Sequence, residues 1–198
     1  MLLIPHLFSN LALCITGVLI FLKYYKLQPD YSRLLWGFFF LSASLTALTE
    51  VISLTSIPIP DKTTELALIL ERTLGAVAVV SATWCIVMHV KPGHLFFFAT
   101  IAVGAALFYC TIFYEIPILS LIILPFCIII TLLICCLGLA SKQKSALWII
   151  FAMMFVALSV KSRDIPLPMS PVDINRCLMI LALFCTGKAL RNEYKILF

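Results

Sequence analysis

Charged residues are scarce in this chain of 198 residues, where 14 lysines and arginines and nine aspartates and glutamates make up only 12% of the sequence. Apolar side chains make up 63%, whereas soluble globular domains contain about 45–50% apolar and about 25% charged residues. A soluble domain of this length cannot bury so much apolar surface. The composition therefore predicts an all-α integral membrane protein, with lipid around most of the chain.

Several other signals are missing. The basic residues form no stripe or recognisable module, so the net charge of +5 does not indicate a nucleic-acid partner. The N-terminal MLLIPHLFSN lacks a basic n-region and a small-residue cleavage site, so we expect a retained helix. The eight cysteines all lie in apolar runs, where free cysteine acts as a small hydrophobe, so we expect no disulfides. No phosphate loop, nucleophile elbow or haem motif is present, and we predict no cofactor.

Apolar segments of about 20 residues are long enough to cross a hydrocarbon layer about 30 Å thick. Short joints rich in proline and charge, such as SIPIPDKTTE, separate such segments here. We predict that residues 1–198 form one domain, a seven-transmembrane-helix bundle. Its predicted spans are about 2–23, 32–55, 64–90, 94–114, 116–140, 144–161 and 171–190.

The lysines and arginines between the spans predict the orientation, because cytoplasmic loops carry the excess of positive charge. With the N-terminus outside, nine lie on the cytoplasmic side: Lys23, Lys26, Arg33, Lys91, Lys142, Lys144, Lys188, Arg191 and Lys195. Three lie outside: Lys62, Lys161 and Arg163. We therefore predict an N-out, C-in protein, placed in a bacterial inner membrane.

Ionisable side chains within the spans are the strongest functional signal, because they cost several kcal/mol in lipid and face the bundle interior. At a rise of about 1.5 Å per residue, Arg72 lies roughly 12 Å below the outer surface and Glu50 and Arg176 roughly 8 Å. Glu71 is next to Arg72, and Asp173 lies nearer the interface. Three helices thus bring charge to one outer layer of the bundle.

Helix geometry suggests how these charges pair. Ser42, Thr46, Glu50 and Ser53 form one polar stripe on the second helix. Glu71 and Arg72 point about 100° apart on an α-helix and cannot easily satisfy each other.

We expect Glu50 to pair with Arg72, and Glu71 with Arg176 or an exposed donor. Asp173 and Arg176, three residues apart, are placed to bridge each other. His6 and Asn10, one turn apart on the first helix, are candidates for the same layer.

Other constellations carry less weight. Cys85, His89 and His94 have spacing compatible with a metal site, but they lie at the cytoplasmic end without a carboxylate. An interfacial role for the histidines is favoured, and no metal is predicted. Lys188 near the end of the last helix is interpreted as a snorkelling anchor rather than a retinal lysine.

Three segments, WGFFFLSASLTALTEV, LILERTLGAV and DINRCLMILALFCTGKAL, resemble a group of bacterial seven-helix membrane proteins. That group distantly resembles the alkaline ceramidase and adiponectin-receptor superfamily of membrane hydrolases, in which histidines on the second and seventh helices hold a catalytic zinc. Here those positions carry Glu50 and Arg176, and His6 is the only histidine on the outer side. The resemblance therefore implies a similar fold and pocket position without the zinc chemistry.

Four functions remain open. The favoured hypothesis is an outer-leaflet polar site that binds a lipid headgroup or small polar ligand, with an arginine holding phosphate or carboxylate. The alternatives are a transporter or channel subunit that uses the same charges as a pathway or proton relay, a degenerate membrane-embedded lipid hydrolase, and a structural or assembly partner of other membrane proteins. The charges also have a purely structural reading, in which they only set helix register. The expected partners are membrane lipids, a small ligand or a membrane protein, including another copy of this chain.

Overall fold

A computed structural model describes residues 3–25, 30–55, 60, 62–114, 117–162 and 170–196. These residues form seven helices and no strand. The helices are α1 (Leu3–Tyr25), α2 (Asp30–Leu54), α3 (Lys62–Val87), α4 (His94–Phe113), α5 (Pro117–Ala140), α6 (Lys144–Lys161) and α7 (Pro171–Ile196). Each contains most of one predicted span, so the all-α prediction is confirmed.

Six of these seven helices, α1 to α6, are long and apolar enough to cross a membrane. Large apolar side chains such as Phe8 and Leu95 are exposed on their outer surfaces, as expected of a chain that spans lipid. α7 differs because it carries six charged residues: Asp173, Arg176, Lys188, Arg191, Glu193 and Lys195. The fold is that of an integral, multi-pass membrane protein.

Two helix ends differ from the predicted bounds by three residues or more, and the others agree within two residues. α3 was expected to reach residue 90 but ends at Val87, because His89 adopts a left-handed backbone conformation with φ 51°. α7 was expected to end at residue 190 but continues to Ile196. The connections 56–59 and 163–169, with Arg163, lie outside the described residues.

Six helices close a ring. Around it, α1 packs on α2, α2 on α3, α3 on α5, α5 on α6, α6 on α7, and α7 returns to α1. α4 lies outside the ring and packs mainly against α3. Its buried residues form one seam, Phe97, Thr100, Gly104 and Thr111. The Thr100 hydroxyl donates a hydrogen bond to Ser81 Oγ of α3 at 3.0 Å.

We call the end of the bundle where α1 begins the N-terminal face, and the opposite end the C-terminal face. In the C-terminal half, the interior of the ring is filled by apolar side chains, with Trp36, Phe40, Ile149 and Leu183 at most 1% exposed. A seam of small residues on α3, Gly75, Ala78, Ala82 and Cys85, is buried. The N-terminal half is packed less completely, because a cavity lined by Glu50, Glu71, Arg72 and Arg176 lies there.

Candidate functional site: a charged cavity beside a π-helical turn

A single π-helical turn, Glu71–Gly75, interrupts α3. At its end the Ala76 amide donates to the carbonyls of Glu71 and Thr73, whereas an α-helix would direct it to Arg72. A π-turn inserts an extra residue and alters the directions of the side chains that it contains. Such turns are rare and occur frequently at functional sites. The turn begins at the two charged residues, Glu71 and Arg72, that stand out in the sequence.

Glycines on both sides allow neighbouring helices to approach this turn closely. A Cβ added at Gly75 would lie 2.6 Å from Ser42 Oγ on α2. A Cβ added at Gly104 of α4 would lie 2.5 Å from Leu74 Cδ1 and 3.1 Å from Leu74 Cα, within the turn itself. The turn is therefore clamped between α2 and α4, since any larger side chain at Gly104 would push α4 away.

The Thr46 hydroxyl joins α2 to the residues just before the π-turn. It donates to its own helix at Ser42 O (3.1 Å) and across to Ala67 O of α3 (3.2 Å). Thr46 is fully buried. Part of the predicted polar stripe on α2 thus serves helix packing.

A cavity of about 330 Å³ opens beside the π-turn in the N-terminal half of the ring. Five helices line it: α2, α3, α5, α6 and α7. Its polar lining is Glu50, Glu71, Arg72, Ser159, Asn175 and Arg176, and its apolar lining is Phe39, Leu68, Ala76, Leu124, Val156, Val160 and Met179. The volume is at the lower end of the range for ligand pockets, about 300–1,000 Å³.

An ion pair across the cavity joins α7 to α2. Arg176 Nη2 donates to Glu50 Oε1, and the Arg176 side chain is only 7% exposed, against 26% for Glu50. We expected Arg176 to pair with Glu71 and Glu50 with Arg72. The assignment of Arg176 to Glu71 is wrong, because the ring places Glu50 of α2 opposite Arg176.

Two charged groups in this cavity have unmet hydrogen-bonding demands. Glu71 Oε2, an acceptor, and Arg176 Nε, a donor, are buried and have no partner within the described part of the chain. Glu71 lies close enough to Arg176, Arg72 and Glu50 to interact with each electrostatically. A buried polar atom without a partner is costly, and both of these side chains line the same cavity.

Asp173 belongs to a second polar cluster, between α1 and α7. Its Oδ1 accepts a hydrogen bond from Ser9 Oγ at 2.6 Å and lies 2.9 Å from His6 Nδ1. The expected Asp173–Arg176 bridge is therefore wrong. Asn10 is buried, and its side-chain amide donates to His6 O at 3.0 Å. His6 and Asn10 thus lie in a polar layer on the N-terminal face, but they do not line the cavity.

A third polar cluster, near the C-terminal face, was not anticipated from the sequence. Glu193 Oε1 lies 2.9 Å from His89 Nδ1, and Glu193 Oε2 accepts a hydrogen bond from Ser145 Oγ at 2.9 Å. Gln143 bridges His89 Nε2 (2.9 Å) and Val87 O (3.0 Å). The sequence had singled out His89 as an interfacial histidine, but nothing in it connected His89 to Glu193, which lies beyond the predicted end of the last span.

Potential metal ligands are dispersed. No group of three His, Cys, Asp or Glu side chains within the described ranges is placed to hold a metal ion. His89 packs with Glu193 and Gln143, as an interfacial histidine would. Lys188 places its ammonium 5.9 Å from the Trp148 ring centroid, a cation–π contact near the C-terminal face.

These features define a class: an all-helical membrane protein whose helix ring encloses a small cavity with charged and apolar walls. The chain matches no protein-family model, no curated protein and no solved structure.

Proposed function

We propose that this protein binds a lipid headgroup or a small polar ligand in the cavity beside the π-turn. The observation that carries the proposal is the composition of the cavity wall, where Glu50, Glu71, Arg72 and Arg176 face an apolar floor that includes Phe39 and Val156. Ligand pockets combine mostly apolar walls with a few convergent polar groups. Ion pairs that only set the register of the helices need no space between them, whereas this group of charged residues surrounds a cavity of about 330 Å³.

The proposed topology has seven spans with the N-terminus outside, so that the cavity opens in the outer half of a bacterial inner membrane. The positive charge near the C-terminal face, including Lys142, Lys144 and Arg191, supports this orientation. α7 is then a seventh span whose buried charged residues, Asp173, Arg176 and Glu193, each have a partner outside α7. A fluorescent protein fused to the C-terminus tests this orientation. We expect the fusion protein to fluoresce, and a full-length fusion protein that is exported and does not fluoresce would contradict the orientation.

The ligand proposal is tested by replacing a cavity cation. Arg72→Ala is expected to abolish co-purification of a bound lipid or polar molecule, detected by mass spectrometry of the purified protein. Lys62→Ala is the matched control, because Lys62 is an exposed cation on the same helix. Unchanged ligand content in Arg72→Ala, with wild-type ligand present, would contradict the proposal.

A transport role is the second candidate. Below the cavity lies a smaller apolar pocket that shares Phe39, Ala76, Leu124 and Val156 with it and reaches Thr131. Deeper in α3, the buried Thr83 hydroxyl has no partner in the described residues. These groups extend from the cavity towards the C-terminal face. In proteoliposomes this candidate requires solute or proton flux that Glu50→Gln reduces, and absence of flux would reject it.

A further inference from the structure

We infer that the ligand of this cavity is a zwitterion with a primary ammonium group and one anionic group, either phosphate or carboxylate. The inference rests on the proposed function, because it specifies the chemistry of the ligand for the same site. It follows from the unsatisfied atoms, the charge balance and the aromatic content of the wall.

The unsatisfied atoms require two opposite partners. Glu71 Oε2 needs a donor and Arg176 Nε needs an acceptor, and both side chains line one cavity. An ammonium group has three N–H donors and no acceptor, while phosphate and carboxylate oxygens accept hydrogen bonds. A zwitterion satisfies both groups at once. A simple anion would leave the Glu71 oxygen unmet and would bring a second negative charge close to it.

Charge balance favours the same class. Among the described residues, two carboxylates, Glu50 and Glu71, and two guanidinium groups, Arg72 and Arg176, line the cavity, so the formal charges of these side chains sum to zero. A ligand with a net charge would leave that charge uncompensated in a poorly solvated site, which is costly. A ligand of zero net charge with separated positive and negative ends avoids this cost.

The aromatic content distinguishes a primary from a quaternary ammonium. Quaternary ammonium groups are recognised by cages of aromatic rings, but Phe39 is the only aromatic side chain among the described residues that line the cavity. The wall instead offers oxygen acceptors, on Glu71 and on the Asn175 amide. Oxygen acceptors are suited to N–H donors, which a trimethylammonium lacks.

The apolar floor suits an amphipathic molecule, and two sources share this chemistry. One is a membrane lipid with an ammonioethyl phosphodiester headgroup, and the other is a free amino acid or a free ammonioethyl phosphodiester, since a free phosphate monoester would carry more than one negative charge. The cavity of about 330 Å³ holds roughly ten water-sized groups at about 30 Å³ each, enough for either headgroup or free molecule. The experiment must therefore separate the two sources.

The test uses the full-length protein in detergent, with binding followed by native mass spectrometry. The lipid probes are phosphatidylethanolamine, its N-methyl and N,N-dimethyl derivatives, phosphatidylcholine and phosphatidylglycerol. The soluble probes are glycerophosphoethanolamine and alanine. We expect affinity to fall along the methylation series, with phosphatidylethanolamine at least about tenfold tighter than phosphatidylcholine and phosphatidylglycerol, as expected for loss of a charge-assisted hydrogen bond.

Glu71→Gln is expected to reduce phosphatidylethanolamine binding to the level of phosphatidylcholine. The control Glu65→Gln removes an exposed carboxylate from the same helix and is expected to keep wild-type selectivity. If Glu71→Gln fails to fold, the methylation series on wild-type protein still decides the question. Binding of the soluble probes alone, with the same dependence on Glu71, would support the inference and assign the ligand to the free source.

Two results overturn the inference and differ in what they mean for the proposed function. Tightest binding of phosphatidylglycerol, lost in Arg72→Ala, would leave a lipid-binding cavity but reject the zwitterion. Equal binding of all lipids would also reject the zwitterion and would indicate that water is the partner of Glu71 and Arg176. If neither the lipids nor the soluble probes bind and no other ligand co-purifies, both the inference and the proposed function are wrong.

Discussion

Removal of Arg176 is the most direct test of how the cavity is held together. Arg176→Gln deletes the cation that pairs with Glu50 and acts electrostatically on Glu71. Two carboxylates then face each other at the wall of the cavity, with Arg72 as the remaining cation that lines it. Glu50→Gln is less severe, because Arg176 keeps Glu71 within electrostatic range.

The expected size follows from burial. Breaking a buried ion pair by removing one partner costs about 3–5 kcal/mol. Glu50 is 26% exposed and can recover some hydration, so we expect Arg176→Gln to lie near the lower limit, at about 3 kcal/mol. For a chain of this size that corresponds to a fall in Tm of about 6–12 °C. Glu50→Gln should cost about 1–2 kcal/mol.

The assay is thermal unfolding of the purified protein in one detergent, followed by intrinsic fluorescence. The double variant Glu50→Gln/Arg176→Gln should lose less stability than the sum of the single variants, because each single change already removes the pair. Arg191→Gln, an exposed change on the same helix, is the control and should leave Tm unchanged. Additive losses, or an Arg176→Gln effect no larger than that of Arg191→Gln, would refute the reasoning.

Two further predictions concern packing away from the ion pair. Gly104→Ala places a Cβ 3.1 Å from Leu74 Cα and should lower the free energy of unfolding by about 1–3 kcal/mol. The control in the same thermal assay is Gly93→Ala, because a Cβ at Gly93 has no atom within 4 Å. Equal effects of the two substitutions would contradict the close packing of α4 on the π-turn. Glu193→Ala removes a carboxylate that is 5% exposed and leaves its hydrogen-bond partners unpaired. It should lower the free energy of unfolding by about 1–3 kcal/mol, with Glu65→Ala as the control. A wild-type Tm in Glu193→Ala would show that this cluster adds no stability.

The helices could be predicted because hydrophobicity is a local property. Each apolar run is long enough to be recognised as a helix, and proline and charged residues mark the connections between the helices. The depth of the charges also followed from local information, since the helix rise converts residue number into distance. Glu50, Glu71, Arg72 and Arg176 were assigned to one layer on this basis, and they line one cavity.

The pairing of these charges could not be predicted, because it depends on which helices face each other across the ring. Residue spacing made Asp173 the nearest partner for Arg176, yet Asp173 contacts His6 and Ser9 of α1. The cluster around Glu193 was missed for a related reason. Its members are far apart in sequence, and nothing local connects His89 to the end of α7.

The sequence by itself determined an all-helical, lipid-facing chain with a few charges at a common depth, because these properties depend only on residue type and order along each helix. Only the tertiary structure decided the pairing of Arg176 with Glu50, the cavity and the π-turn. The turn at Glu71–Gly75 does not follow from the helical period, which assumes an uninterrupted α-helix. The turn lies in close contact with two other helices, at Ser42 of α2 and Gly104 of α4, and such contacts exist only once the bundle is assembled.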